Sequence, residues 1–135
     1  MKRLLGFVML GSLMTAGLSC GSGPTASGPG VLQVRLTSPP ANSGLDSAVV
    51  ITISGPAALT SATAGTGLRL FQQPLGGTTT RFALTGLLTN GATILTIGVS
   101  DLGAGSQYNG TVDAVAMPSF QVRTQLGGYA LAVTR

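Results

Sequence analysis

From residue 31 onward, apolar and polar side chains exchange places at every second position along several short stretches of the chain. In VLQVRLT, residues 31–37, Leu32, Val34 and Leu36 fall on one side and Gln33, Arg35 and Thr37 on the other, the period of a half-buried strand. SPPANSGLDS breaks the chain with two prolines and turn formers before AVVITIS, 48–54, where Val49, Ile51 and Ile53 share the next inward face. LRLFQ at 68–72 predicts a short strand, and PLGG turns the chain into TTTRFAL, 78–84, with Thr80, Phe82 and Leu84 on one side. Asn90-Gly91 has the composition of a tight hairpin turn, and Leu95, Ile97 and Val99 follow it on one face.

Further on, SDLGAGS reads as a loop and QYNGTVDAVAM, 107–117, as a strand with Tyr108, Val112 and Ala114 facing one way until Pro118 stops it. FQVRTQL and YALAVT, joined by Gly127-Gly128, predict a final hairpin with Tyr129, Leu131 and Val133 inward. Residues 57–66, AALTSATAGT, fit an edge strand or a loop equally. Seven or eight short strands without a helical pattern to connect parallel neighbours describe an all-β, antiparallel β-sandwich over 31–135. TGLLTNGATILTIGV resembles the strand pairs of cohesin-like domains, and the expected class is immunoglobulin-like or cohesin-like.

Composition agrees with this reading. Charged residues make up 7% of the chain and aromatics 4%, Gly reaches 21 residues, and Glu, His and Trp are absent, so the charged residues that helices lean on are scarce while Thr, Gly and Val abound, which points to β structure. Disordered chains are instead charged and poor in aliphatic side chains.

The first thirty residues follow a different pattern. Lys2 and Arg3 precede an apolar run from Leu4 to Ala16, and small residues lead on to Cys20, which is the layout of a secretory signal peptide. As a helix this run spans roughly 20 Å, short of the ~30 Å hydrocarbon core. GLSCG, 17–21, resembles the lipobox of bacterial lipoproteins, with Ser19 before the cysteine and Gly21 after it. The resemblance implies removal of residues 1–19, diacylation of Cys20 as the new N-terminus, and anchoring in a membrane. As the only cysteine of the chain, Cys20 has no disulfide partner within it. Gly21 in place of an Asp implies the outer membrane as the destination. GSGPTASGPG, 21–30, then forms a flexible spacer that keeps the domain within roughly 17 Å of its anchor as a random coil.

Charge and side-chain chemistry narrow the functional classes. Beyond the signal segment five Arg (35, 69, 81, 123, 135) face three Asp (46, 101, 113), with no Lys and no basic run, so nucleic acid is not an expected partner. Without His, Glu, Lys or a second Cys, that part of the chain has no Ser-His-Asp or Cys-His arrangement, no Ser-Lys dyad and no His-based metal site. No enzyme, no cofactor and no metal are therefore expected. Asp46 with Asn42, and Asp101 in its loop, offer too few carboxylates for calcium.

Arg35, Arg81 and Arg123 are the candidate ligand-binding residues, each expected within a strand; adjacent strands would align their guanidiniums for an anionic glycan or lipid phosphate. The expected function is that of a non-enzymatic, lipid-anchored binding or structural module at the cell surface or periplasmic face of the bacterial envelope. Its partners would be the membrane, through the lipid, and an envelope protein or glycan. A glycan- or anionic-ligand-binding domain and an accessory subunit of an envelope assembly are the alternatives, the first limited by an aromatic platform of only Tyr108 and Tyr129.

Overall fold

A computed structural model describes residues 27–135, so Cys20 and the signal segment lie outside the described residues. Eight strands form two four-stranded sheets, β3-β6-β1-β8 and β4-β5-β2-β7, in which every neighbouring pair is antiparallel. The first sheet contains β1 (Gly30–Thr37), β3 (Ser61–Ala64), β6 (Thr93–Val99) and β8 (Ala130–Thr134). The second contains β2 (Asp46–Ser54), β4 (Arg69–Gly76), β5 (Thr79–Leu88) and β7 (Asn109–Ala116). The fold is thus the antiparallel β-sandwich that the alternation predicts, and the ambiguous segment 57–66 supplies the short edge strand β3.

The inner faces hold the expected apolar rows. Leu32, Val34, Leu36, Leu95, Ile97 and Val99 from one sheet meet Val49, Ile51, Ile53, Phe82 and Leu84 from the other, all fully buried. Each such side chain removed from water contributes about 1.5–3 kcal/mol. Tyr129, Leu131 and Val133 pack against this core from β8, as expected.

Three departures from strict alternation come from bulges. The register between β1 and β6 slips at Ile94, so Ile94 and Leu95 are both buried although they are adjacent. Along β7, Val50 opposes Ala114 while Ile51 opposes Val112, which leaves Asp113 as the extra residue. As a result Val115, not Ala114, joins the core. Between β2 and β5, Asp46 opposes Leu88 and Ala48 opposes Thr85, so Gly86 and Leu87 stand against Ser47 alone and Asp46 is buried out of step with Val49, Ile51 and Ile53.

Two predicted hairpins are not formed. Asn90-Gly91 connects β5 to β6 across the two sheets; Gly91 has φ +81° while Asn90 does not take the left-handed conformation that a tight two-residue hairpin requires there. Asn90 is used through its side chain, whose Oδ1 accepts from Ser38 N at 3.0 Å, while its own N donates to Ser43 Oγ at 2.9 Å. Residues 120–126 form no strand of the sheets, and β8 pairs with β1 instead. Pro118-Ser119 starts a tight turn in which Phe120 N donates to Met117 O and Met117 N to Gln121 O, and the chain returns along the end of β7 through an Ala116–Val122 bridge.

The strand directions define two poles. Gly28, the short 3-10 helix Leu102–Gln107 and the β4–β5 turn lie at the pole where β1 begins. Asp101 caps that helix through Gly103 N at 2.8 Å and also accepts from Gly28 N at 3.3 Å, fixing the point where the chain enters the sandwich. The β1–β2, β5–β6 and β7–β8 connections gather at the other pole, roughly 26 Å away along eight residues of strand. Among the described residues no helix is long and apolar enough to cross a membrane.

The long sides of the sandwich differ as well. Where β7 meets β8, Gly110 lets the sheets approach so closely that a Cβ there would lie 2.7 Å from Ile53 Cδ1 and 2.8 Å from Leu131 Cδ1. On the opposite side the edges of β3 and β4 stand apart over Phe82, leaving a cleft of about 320 Å³ between Leu59 and Ala62 on one wall and Gln72 and Pro74 on the other.

Candidate functional site

The three arginines singled out from the sequence do not share a face. Arg35 stands on the outer side of β1, where its Nη2 donates to Gln33 Oε1 at 3.3 Å. Arg81 stands on the outer side of β5, in the other sheet, with Nε 3.8 Å from Asp113 Oδ2 in an exposed pair. Facing away from each other across the core, these two cannot hold one ligand together. Arg123 lies outside both sheets, in the β7–β8 connection at the pole remote from Gly28.

Arg123 is nevertheless the arginine whose position is most firmly built. Its Nε donates to Asp46 Oδ1 at 2.6 Å, and Tyr129 Oη donates to Asp46 Oδ2 at 2.5 Å. Asp46 is itself buried, at 2% exposure. Both carboxylate oxygens are therefore occupied from one excursion, by Arg123 near its middle and by Tyr129 where it rejoins the sheet. Burial, reinforced by the bond to Asp46, raises the Tyr129 pKa, while a hydrogen bond with Asn42 acts in the opposite direction. The pairing of Asp46 with Asn42 noted in the sequence thus becomes part of a Tyr and Arg clasp.

Beside this clasp the excursion bounds a cleft of about 440 Å³, lined by Asn42, Met117, Gln121, Arg123, Thr124 and Gln125 among others. Among the described residues Arg123 is the only charged side chain in the lining, and Asp46 already balances it. The guanidinium carries five N–H donors, of which Asp46 takes the one on Nε; the others belong to Nη1 and Nη2. The other polar side chains of the lining are the amides of Asn42, Gln121 and Gln125 and the Thr124 hydroxyl, so the cleft offers hydrogen bonds in both directions without a net charge.

The same pole exposes apolar side chains. Of the seven large hydrophobic side chains exposed among the described residues, Leu45, Leu87, Phe120 and Val122 lie here, and the most exposed is Phe120 at 83%. Phe120 is also, among the described residues, the one non-glycine residue with positive φ, at 67°. It occupies the third position of a three-residue turn, which glycine ordinarily fills, and a bulky side chain in that conformation costs about 1–2 kcal/mol.

The two tyrosines, which the sequence marks as a poor aromatic platform, do not form one. Tyr108 is buried, with its ring against Gly55, and the Tyr129 hydroxyl is committed to Asp46. Among the described residues the exposed rings are Phe120 and, on β4, Phe71. The sequence does contain a signal for Phe120: Pro118-Ser119 reads as the centre of a turn, and the next residue then falls at the left-handed position.

No three of Asp, Glu, His and Cys gather among the described residues in a way that could hold a metal ion. Compared with protein-family models, curated proteins and solved structures, the chain matches none.

Proposed function

We propose that this chain is a non-enzymatic, lipid-anchored module of the bacterial cell envelope, carried on the outer membrane by Cys20, that presents a binding surface at the pole remote from its anchor. The observation that carries the reading is the distribution of exposed apolar side chains. Monomeric proteins scatter such residues singly, whereas Leu45, Leu87, Phe120 and Val122 cluster at one end, next to the Arg123 cleft. The chain enters the sandwich at the other end, at Gly28, so an anchor on Cys20 and this surface act on opposite sides of the domain. The absence of His, Glu and Lys beyond residue 20 supports a binding role over a hydrolytic one.

A role as an accessory subunit through strand addition has less support. β4 is the longer free edge facing the open side, but Pro74 lacks an N–H there, and β3 is only four residues long. The deciding experiment is intact mass and membrane fractionation of the expressed protein beside its Cys20→Ala variant. A diacylglyceryl-modified chain beginning at Cys20, with the variant lost from the membrane, is the expected result. An unlipidated product released from the membrane would overturn the reading.

A further inference from the structure

The remote pole combines three features that the anchoring itself does not need: a cleft lined by amides, a guanidinium fixed in position, and an exposed aromatic ring held in a costly conformation. We infer that the Arg123 cleft, with Phe120 on the turn beside it, is a binding site for an uncharged saccharide chain. The inference rests on the binding-module reading above and gives that module its ligand class.

Charge points to a neutral ligand. The Arg123 guanidinium is balanced by Asp46 at 2.6 Å, and no other charged side chain among the described residues lines the cleft. An anion would therefore meet a local charge near zero, and a cation would meet Arg123 first. Asn42, Gln121, Gln125 and Thr124 provide donors and acceptors side by side, which suits the hydroxyl groups of a sugar, since each of those both donates and accepts. The volume, about 440 Å³, lies within the range of roughly 300–1,000 Å³ typical of small-ligand sites.

Phe120 supplies the apolar half of such a site. A sugar ring has an apolar face of C–H groups that packs on an aromatic ring, and Phe120 presents its ring at 83% exposure. The turn that carries it also provides Met117 and Gln121 to the cleft wall, so the ring stands on the same turn as part of the lining. Its backbone conformation is the independent argument. Glycine would fit φ 67° without strain, and a strained residue persists where it serves something other than stability. A peptide ligand is less well served, because extended peptides dock on free sheet edges and this cleft is bounded by the irregular β7–β8 connection.

The test is calorimetric titration of the full-length protein in detergent with three neutral oligosaccharides: a β-1,4-linked N-acetylglucosamine hexamer, a β-1,4-linked glucose hexamer and an α-1,4-linked glucose hexamer. Binding to at least one is expected. Phe120→Gly is expected to weaken it by about tenfold or more while leaving the melting temperature unchanged or higher, and Phe120→Tyr to retain it. Gln125→Ala, on the cleft wall and away from the turn, is expected to weaken binding by about fivefold with no loss of folding. Absence of heat with all three saccharides overturns the inference, as does binding that survives both Phe120→Gly and Gln125→Ala. Binding of an uncharged pentapeptide in the same cleft, with no saccharide bound, overturns it in favour of a peptide site. Saccharide binding by a protein that fractionates away from the membrane would refute the anchor and uphold the cleft. A membrane-bound protein that binds none of the three would do the reverse.

Discussion

Asp46 and Arg123 stand 77 residues apart in the sequence and 2.6 Å apart in the structure, and their contact holds the β7–β8 connection against the start of β2. Buried ion pairs of this kind are costly to break from one side, because the surviving charge keeps its burial and loses its partner. Arg123→Ala is expected to destabilise the domain by about 3 kcal/mol in urea unfolding, and the double variant Arg123→Met, Asp46→Leu to recover most of that loss. A loss under about 1 kcal/mol in the single variant would mean that water or relaxation replaces the pair.

Tyr129 makes the other half of the clasp and gives it a pH dependence. Its phenol pKa is raised above the ordinary 10.0, first by burial and then by the bond to Asp46. The folded phenol thus holds its proton more tightly than the unfolded one. Its contribution to stability is complete below the unfolded value and is lost as pH rises through the higher folded value. Melting temperatures are expected to fall as pH rises above about 10 for the wild type and to fall less for Tyr129→Phe. At neutral pH the variant should cost about 1–3 kcal/mol, since Asp46 Oδ2 loses its donor without gaining solvent.

Ser38 tests the opposite situation. Its side chain is buried and Oγ has no hydrogen-bond partner, whereas its N–H is satisfied by Asn90 Oδ1 at 3.0 Å. Ser38→Ala is expected to leave stability unchanged or to raise it by up to about 1 kcal/mol, while Asn90→Ala costs about 1–2 kcal/mol by orphaning the Ser38 N–H. Equal losses in the two variants would show that the Ser38 hydroxyl is engaged.

Gly65 marks a close approach of two backbones after β3. A Cβ there would lie 2.2 Å from Thr93 O, and a backbone atom cannot swing away as a side chain can. Gly65→Ala is expected to destabilise by about 2–3 kcal/mol and to loosen β3 from β6, seen as faster amide exchange at Gly65, whose N–H is bonded to Ile94 O at 2.8 Å.

Much of the sandwich is legible in the sequence because its inner faces obey a period of two. Leu32, Val34 and Leu36, or Val49, Ile51 and Ile53, need no tertiary information to be placed inward. Alternation fails where a strand carries an extra residue, since one bulge reverses every side chain beyond it: Ile94, Ala114 and Asp46 are all misplaced by the pattern and all sit at register shifts. Asn90-Gly91 shows a second limit. The pair signals a sharp change of direction, but whether the chain then joins the same sheet or the opposite one depends on packing many residues away. The clasp was illegible for a similar reason, because Asp46, Arg123 and Tyr129 are brought together by the path of the β7–β8 connection. Val122 and Leu126 give that segment a strand-like alternation which it does not use in either sheet.

The place where the chain joins the domain has a mechanical consequence. Gly28 leads directly into β1, an interior strand flanked by β6 and β8 and antiparallel to both. A pull exerted through the spacer is directed along that strand, so it loads the two ladders in shear, with their hydrogen bonds sharing the force. An edge strand pulled from its end would instead unzip one bond at a time. Under the anchoring proposed above, the domain hangs from the element that resists extraction best, and drag on its remote pole is borne by the middle of a sheet.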